Sequence, residues 1–297
     1  MTGDTSTPRL IASYFTLAGD LIPFATTAPS PWSLQDRAEA AATAGFVGLG
    51  IETNDLRHHV AQHGYAGIRR ILADAGLTYL EFEVLTDWFA EGARREASDR
   101  DRAFLLRSAA ELGADMIKTV GDIHLATGTA NLTPWPIDTL GDAYGQLCRD
   151  AARSGTRITL EIVPFSGIAT LAAAQALVER AAEPNGGILI DIWHMARGKI
   201  PYDSIKDLPP HLITAIEIDD AMREPVPDIF EDTICWRKLP GEGELDVPAF
   251  LRAIAATGYD GVYGVEIVSN EHRARSLRDA AEAAFRTTMA QFARRDT

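Results

Sequence analysis

The sequence predicts a single (β/α)8 barrel, and three observations support that fold class. Short apolar runs rich in β-branched and aromatic residues alternate with longer Ala-, Leu- and Arg-rich stretches along the 297 residues. Gly45, Gly76, Gly113, Gly155 and Gly258 each stand between a helical stretch and a strand, where a left-handed C-terminal cap belongs. No linker or low-complexity tract divides the chain, so residues 9–297 are expected to form one catalytic barrel domain behind a flexible tail, 1–8.

Taken in order, the first strand is expected at Leu10–Phe15, and Ser33 with Asp36 opens a helix over Ser33–Ala44. A second strand, Phe46–Ile51, leads to a helix at Tyr65–Ala75, and a third, Leu77–Val84, to one at Asp99–Leu112. The fourth strand, Met116–Val120, precedes a helix at Pro136–Ser154, and the fifth, Arg157–Val163, precedes one at Thr170–Ala182. After the sixth strand, Gly187–Asp191, the connection around Tyr202–Lys206 is shortened. The seventh strand, Leu212–Ile218, runs into the longest irregular stretch, Ala221–Gly243, and a loop of that length is usually functional or flexible. Asp246, followed by Val247 and Pro248, starts a helix over Asp246–Ala256. The eighth strand, Val262–Val268, and a last helix, Arg273–Ala293, complete the pattern.

A hydrophobic content of 46% suits a well-buried core. Lys and Arg number 28 against 42 Asp and Glu, a formal charge of −14 that opposes adhesion to phosphate backbones and anionic membranes. Nucleic acid and membrane are therefore excluded as partners. No apolar run approaches the roughly 20 residues of a membrane span, and the first residues lack a basic stretch followed by an apolar one, so a cytoplasmic location is expected. Cys148 and Cys235 are too few for a disulfide framework and are read as ordinary reduced cysteines.

Function is argued from four carboxylates. Glu161, Asp191, Glu217 and Glu266 fall in the fifth to eighth strands, each in or at the end of an apolar run. A lone carboxylate in such surroundings costs several kcal/mol or neutralises. Neighbouring parallel strands would bring all four to one mouth of the barrel, where a hard divalent ion, Mn²⁺ or Mg²⁺, satisfies them. Any one of them alone reads equally as a solvated strand end or an ion-pair partner; four consecutive staves make coincidence a poor account. His194, three residues past Asp191, sits where the chain leaves the sixth strand. Arg237, in the seventh loop, can present a fixed positive charge to a polar substrate.

These residues resemble the xylose-isomerase-like TIM-barrel sugar isomerase and epimerase family, which includes D-tagatose 3-epimerase-like enzymes, hydroxypyruvate isomerases, inosose dehydratases and 3-dehydroshikimate dehydratases. The likeness spans nearly the whole chain and is sharpest from Leu160 to Ile267. Its motifs are Glu161 with Pro164, Asp191 with His194, Arg237 before Pro240-Gly241-Glu242-Gly243, and the final Glu266. The resemblance implies that Glu161, Asp191 and Glu266 hold the metal, while His194 and Arg237 face the substrate. It also implies that Glu161 and Glu266 are the catalytic glutamates flanking a carbon next to a carbonyl. Glu217 departs from the pattern, because the family usually has a metal-binding histidine there.

The activity implied is isomerisation or epimerisation of a small sugar or keto-sugar through an enediolate. The alternative is a lyase using the same first proton abstraction: an inosose or dehydroshikimate dehydratase, or an enzyme of keto-glycoside elimination, with His194 as acid for the leaving group. A remoter alternative is a noncatalytic or hetero-oligomer subunit; a homodimer is expected by resemblance. The related apurinic-site endonucleases do not fit so acidic a chain. Among weaker signals, Glu52, Glu81, Glu83, Lys118, Asp122 and His124 are read as salt bridges between staves or pocket lining, Trp88 and Phe89 as core or loop packing or else an apolar wall beside a sugar ring, and His58, His59 and His63 as a surface cluster. Gly48 and Gly50 are only a fragment of a dinucleotide-binding pattern.

Overall fold

The structure, a computed structural model, describes residues 7–23, 28–123 and 135–295. Eight parallel strands close into a barrel in sequence order: β1 (Leu10–Ala12), β2 (Gly48–Glu52), β3 (Tyr79–Leu85), β4 (Met116–Val120), β5 (Arg157–Glu161), β6 (Gly186–Asp191), β7 (Ile213–Ile218) and β8 (Tyr263–Val265). The surrounding helices are α1 (Leu34–Ala44), α2 (Thr53–Asp74), α3 (Gly92–Leu112), α4 (Ile137–Arg153), α5 (Leu171–Ala181), α6 (Ile192–Arg197), α7 (Ile229–Cys235), α8 (Val247–Ala256), α9 (Asn270–Arg273) and α10 (Leu277–Arg295). The predicted fold class is observed. Most of the predicted tail, and His124, lie outside the described residues. No described helix is long and apolar enough to cross a membrane, and both cysteines are free.

Alternation along each strand separates two kinds of residue. Outward positions such as Leu80, Phe82, Ile117, Leu160, Ile188, Ile190, Ile216, Ile218 and Val265 pack under the helices in one continuous core. All five predicted glycine caps have positive φ, from 70° at Gly113 to 113° at Gly45, a region that a Cβ disfavours. Ser33 and Asp246 cap their helices by accepting from the Asp36 and Ala249 amides. The shortened sixth connection is the brief α6 followed by a 3₁₀ segment, Tyr202–Asp207.

Five expectations need correction. The first strand is shorter than predicted, because a 3₁₀ turn at Tyr14–Thr16 follows Ala12; Thr16 continues the seam with its side chain, donating to Val265 O at 2.6 Å and accepting from Ile267 N at 2.9 Å. The helix predicted at Tyr65 begins at Thr53, capped by the Glu52 carboxylate and bent at Gly64, and α3 begins at Gly92. The long seventh loop contains α7, which Asp228 caps by accepting from Phe230 N and Glu231 N. His59 is buried rather than part of a surface cluster. It sits 3.2 Å from Asp55, which also binds Arg37, and although burial pushes the Asp55 carboxyl up, these two partners hold it down to about 2.

One acid-sensitive contact ties α9 to the 3₁₀ turn that follows β1. His272 on α9 is 3% exposed and meets Thr16 O at 3.0 Å; burial lowers its pKa from 6.5 to about 4. Between those two values the unfolded chain binds a proton that the folded chain refuses, so stability present above pH 6.5 is lost as pH falls toward 4. The expected slope from this residue is up to about 1.4 kcal/mol per pH unit. Urea melts at pH 7 and pH 5 should show that slope in the wild type and a shallower one in His272→Asn.

Candidate metal centre

Inward-facing residues change from apolar to charged as the strands rise. Low in the barrel, Met116, Leu189 and Ala215 form a small cluster with Tyr79. Two residues further on, the period of a strand, stand Glu81, Lys118, Asp191 and Glu217. Register fixes their neighbours: Glu161 pairs with Leu189, Asp191 with Glu217, and Glu217 with Gly264. Glu161 and Asp191 are the last residues of β5 and β6, Glu217 is the penultimate residue of β7, and Glu266 lies just past β8. One oxygen from each of these four carboxylates lies within 4.8 Å of the others, at the C-terminal mouth. Oxygens on opposite sides of an ion bound at about 2.1–2.4 Å are about 4–5 Å apart, so the spacing is wide enough to admit a shared cation.

Two buried cations brace the cluster. Arg237 Nη1 lies 2.9 Å from Asp191, 2.6 Å from Asp219 and 2.9 Å from Glu266. Its other nitrogens donate to Thr233, and its guanidinium faces the Trp193 ring at 5.2 Å. Lys118 Nζ meets Glu81 at 2.8 Å, Glu83 at 3.0 Å and Glu217. His194 Nε2 stands 2.8 Å from Glu161, while its amide donates to Asp191 at 2.9 Å and fixes that carboxylate at the start of α6. Asp232 on α7 supports the arrangement from outside, accepting from Trp193 Nε1, Arg197 Nε and Val226 N.

The electrostatics show a surplus of negative charge. Burial raises Glu217 to about 8 and Glu81 to about 7, and burial with the neighbouring carboxylates holds Asp219 and Glu266 well above the usual range. Asp191 goes the other way, because Arg237 and His194 outweigh its burial. Burial opposes the charges on Lys118 and Arg237, but the surrounding carboxylates hold both cationic. Glu217 Oε2 is buried with no hydrogen-bond partner among the described residues. An all-oxygen set with surplus charge and a spare buried lone pair fits a hard divalent ion.

A cavity of ≈ 100 Å³ opens on this cluster. Glu83, Lys118, Glu161, His194, Arg237 and Glu266 form its polar floor; Phe15, Phe165, Phe230, Ile234 and Val268 are among its apolar walls. Phe165 packs edge-on between His194 and Phe230, at 6.5 and 6.3 Å.

The structure therefore brings together all six residues singled out in the sequence, Glu161, Asp191, His194, Glu217, Arg237 and Glu266. Ser13 and Asp219 were missed. Asp219 carried a readable signal, as the next inward position after Glu217; Ser13 gave none, since its role depends on the closure of β1 against β8. Lys118 with Glu81 and Glu83 is the salt bridge between staves that the weaker signals suggested, and Trp88 is core, donating to Val120 O at 2.9 Å. Gly50 has a steric reason unrelated to dinucleotides: a Cβ there would lie 2.6 Å from Glu83 Oε1.

Residues 38–288 match the family described as the xylose isomerase-like TIM barrel. The 3-dehydroshikimate dehydratase of Pseudomonas aeruginosa is 32% identical over 264 residues, 86% of this chain and 39% of that protein, so the chain spans about two fifths of this curated relative. The inosose isomerase of Bacillus subtilis is 27% identical over 150 residues, 50% of this chain and 53% of that one. Among solved structures, a xylose isomerase-like TIM barrel/4-hydroxyphenylpyruvate dioxygenase fusion protein superposes with a TM-score of 0.82 at 25% identity, covering 98% of this chain and 43% of the other. The IolI protein with a zinc atom gives 0.80 at 19% identity, covering 96% and 98%, a likeness of fold.

Proposed function

Because the chain belongs to the xylose isomerase-like TIM-barrel family, we propose that it removes a proton from a carbon next to a carbonyl in a small sugar-like substrate. Glu161, Asp191, Glu217 and Glu266 would hold one divalent cation, Mn²⁺ or Mg²⁺. The observation that carries this reading is the set of four carboxylates within 4.8 Å of one another, two of which, Glu161 and Glu266, line a cavity. When bound, the ion supplies Lewis-acid stabilisation of developing negative charge on oxygen, worth several kcal/mol.

The remaining steps belong to the protein. Glu161 and Glu266 line the cavity from strands three staves apart, so one can take a proton from a substrate carbon while the other faces a different side of the molecule. His194, 2.8 Å from Glu161, is placed to pass a proton to a leaving hydroxyl. Arg237 contacts the substrate edge, and the Phe165 and Phe230 walls exclude water and seat an apolar face.

Two outcomes follow from the carbanion. In elimination the C–H electrons form a carbon–carbon double bond, the β C–O bond breaks, and the hydroxyl leaves as water with a proton from His194. The dehydratase relative, aligned over 86% of this chain, supports this outcome. In isomerisation or epimerisation, which the sequence analysis placed first, the proton returns to another carbon or face; the inosose isomerase relative supports that second reading. A panel of ketoses, keto-cyclitols and 3-dehydroshikimate, incubated with Mn²⁺ or Mg²⁺ in deuterated water, separates them. An unsaturated product is expected from elimination, and deuterium retained in an isomer from the alternative. The absence of both exchange and turnover with every one of these compounds and ions would refute the proposal.

A further inference from the structure

The carboxylate of Glu217 is held on one side only. Ser13 Oγ donates to Oε1 at 2.8 Å and Lys118 Nζ meets the same oxygen, while Oε2 is buried and free of hydrogen bonds among the described residues. The terminal torsion of a glutamate is broad and two-fold, so an unrestrained side chain can offer either oxygen or both. Here the choice is made by the protein. We propose that Lys118 and Ser13 form a clamp on Glu217 Oε1 that leaves Oε2 as the single oxygen this residue presents to the divalent cation. The inference rests on the metal reading above and assigns two positioning residues to it.

Two independent features of the fold serve the same arrangement. Lys118 is itself braced by Glu81 at 2.8 Å and Glu83 at 3.0 Å, so its ammonium cannot swing toward the ion. Gly264, registered opposite Glu217 on β8, keeps the space open: a Cβ there would lie 2.9 Å from both Glu217 Cγ and Ser13 Oγ. An alanine at 264 would push the side chain and its hydroxyl partner apart. Gly50 provides the same clearance for the bracing carboxylates.

The test is Mn²⁺ binding to the metal-free full chain, measured by titration calorimetry, with thermal melts to verify folding. Residues that orient a metal ligand from behind typically contribute 10–100-fold in affinity, and Ser13→Ala and Gly264→Ala are each expected to weaken Mn²⁺ binding roughly 10-fold or more. Lys118→Met distinguishes positioning from charge. Removing a cation near a dication site tightens binding on Coulombic grounds alone, whereas loss of the clamp weakens it. Weaker binding in folded Lys118→Met supports the clamp; tighter binding overturns it. Should Lys118→Met not fold, Ser13→Ala and Gly264→Ala decide, and wild-type affinity in both overturns the clamp while leaving the metal reading intact. A wild-type chain that binds no Mn²⁺ overturns both.

Discussion

Glu266→Gln is expected to lower deuterium exchange at the substrate carbon by roughly 10²–10⁴-fold, the usual contribution of a positioned general base. Glutamine preserves the shape and a carbonyl oxygen but can neither take a proton nor supply the negative charge that Glu266 adds to the cluster. Glu161→Gln should have an effect of the same order, because it removes either the second base or the partner of His194. Exchange rates in deuterated water at saturating Mn²⁺ separate lost chemistry from lost metal. A Glu266→Gln chain that retains metal and exchanges at a rate near wild type would eliminate it as a base and leave Glu161 alone in that role.

The largest effect on stability is expected from Arg237→Met. Arg237 is 3% exposed and binds Asp191, Asp219 and Glu266 through one nitrogen, so methionine leaves three buried carboxylates without their cation. Removing one partner of a buried ion pair typically costs about 3–5 kcal/mol. Without the guanidinium, Asp219 and Glu266, which burial already holds above the usual range, rise further, and Asp191 loses the main partner that holds it low. The deficit is then largest at neutral pH and shrinks as pH falls toward the raised values, where the folded state holds its protons. Urea melts of the metal-free variant at pH 7.5 and pH 5 should show this narrowing gap. Added Mn²⁺ should recover part of the stability, since a ligand that binds only the folded state stabilises it by mass action. A constant gap across that range would mean that Arg237 does not control the titration of these acids.

Much of the fold was legible because barrel units repeat one local signal. Apolar runs bounded by Gly45, Gly76, Gly113, Gly155 and Gly258 mark strand starts, and all five glycines adopt the positive φ that the caps require. Element edges were less legible where side chains rather than propensity set them. The Glu52 carboxylate caps α2 far upstream of its apolar half, and Asp228 caps α7 inside a stretch with no clear helical period. His59 looked like a surface residue because its partner Arg37 lies on another helix.

The sequence by itself determined the closed barrel, its strand order, and the four carboxylates with His194 and Arg237 as the place to look, because an acid inside an apolar β-run is costly wherever the strand ends up. The tertiary structure alone decided how that cost is met. Arg237 joins Asp219 to two of the acids, Lys118 joins Glu217 to Glu81 and Glu83, and Ser13 reaches Glu217 from the far side of the closing seam. These pairings link residues tens to hundreds of positions apart, and their physical basis is the convergence of inward side chains on one axis, a property of the closed sheet and of no segment within it.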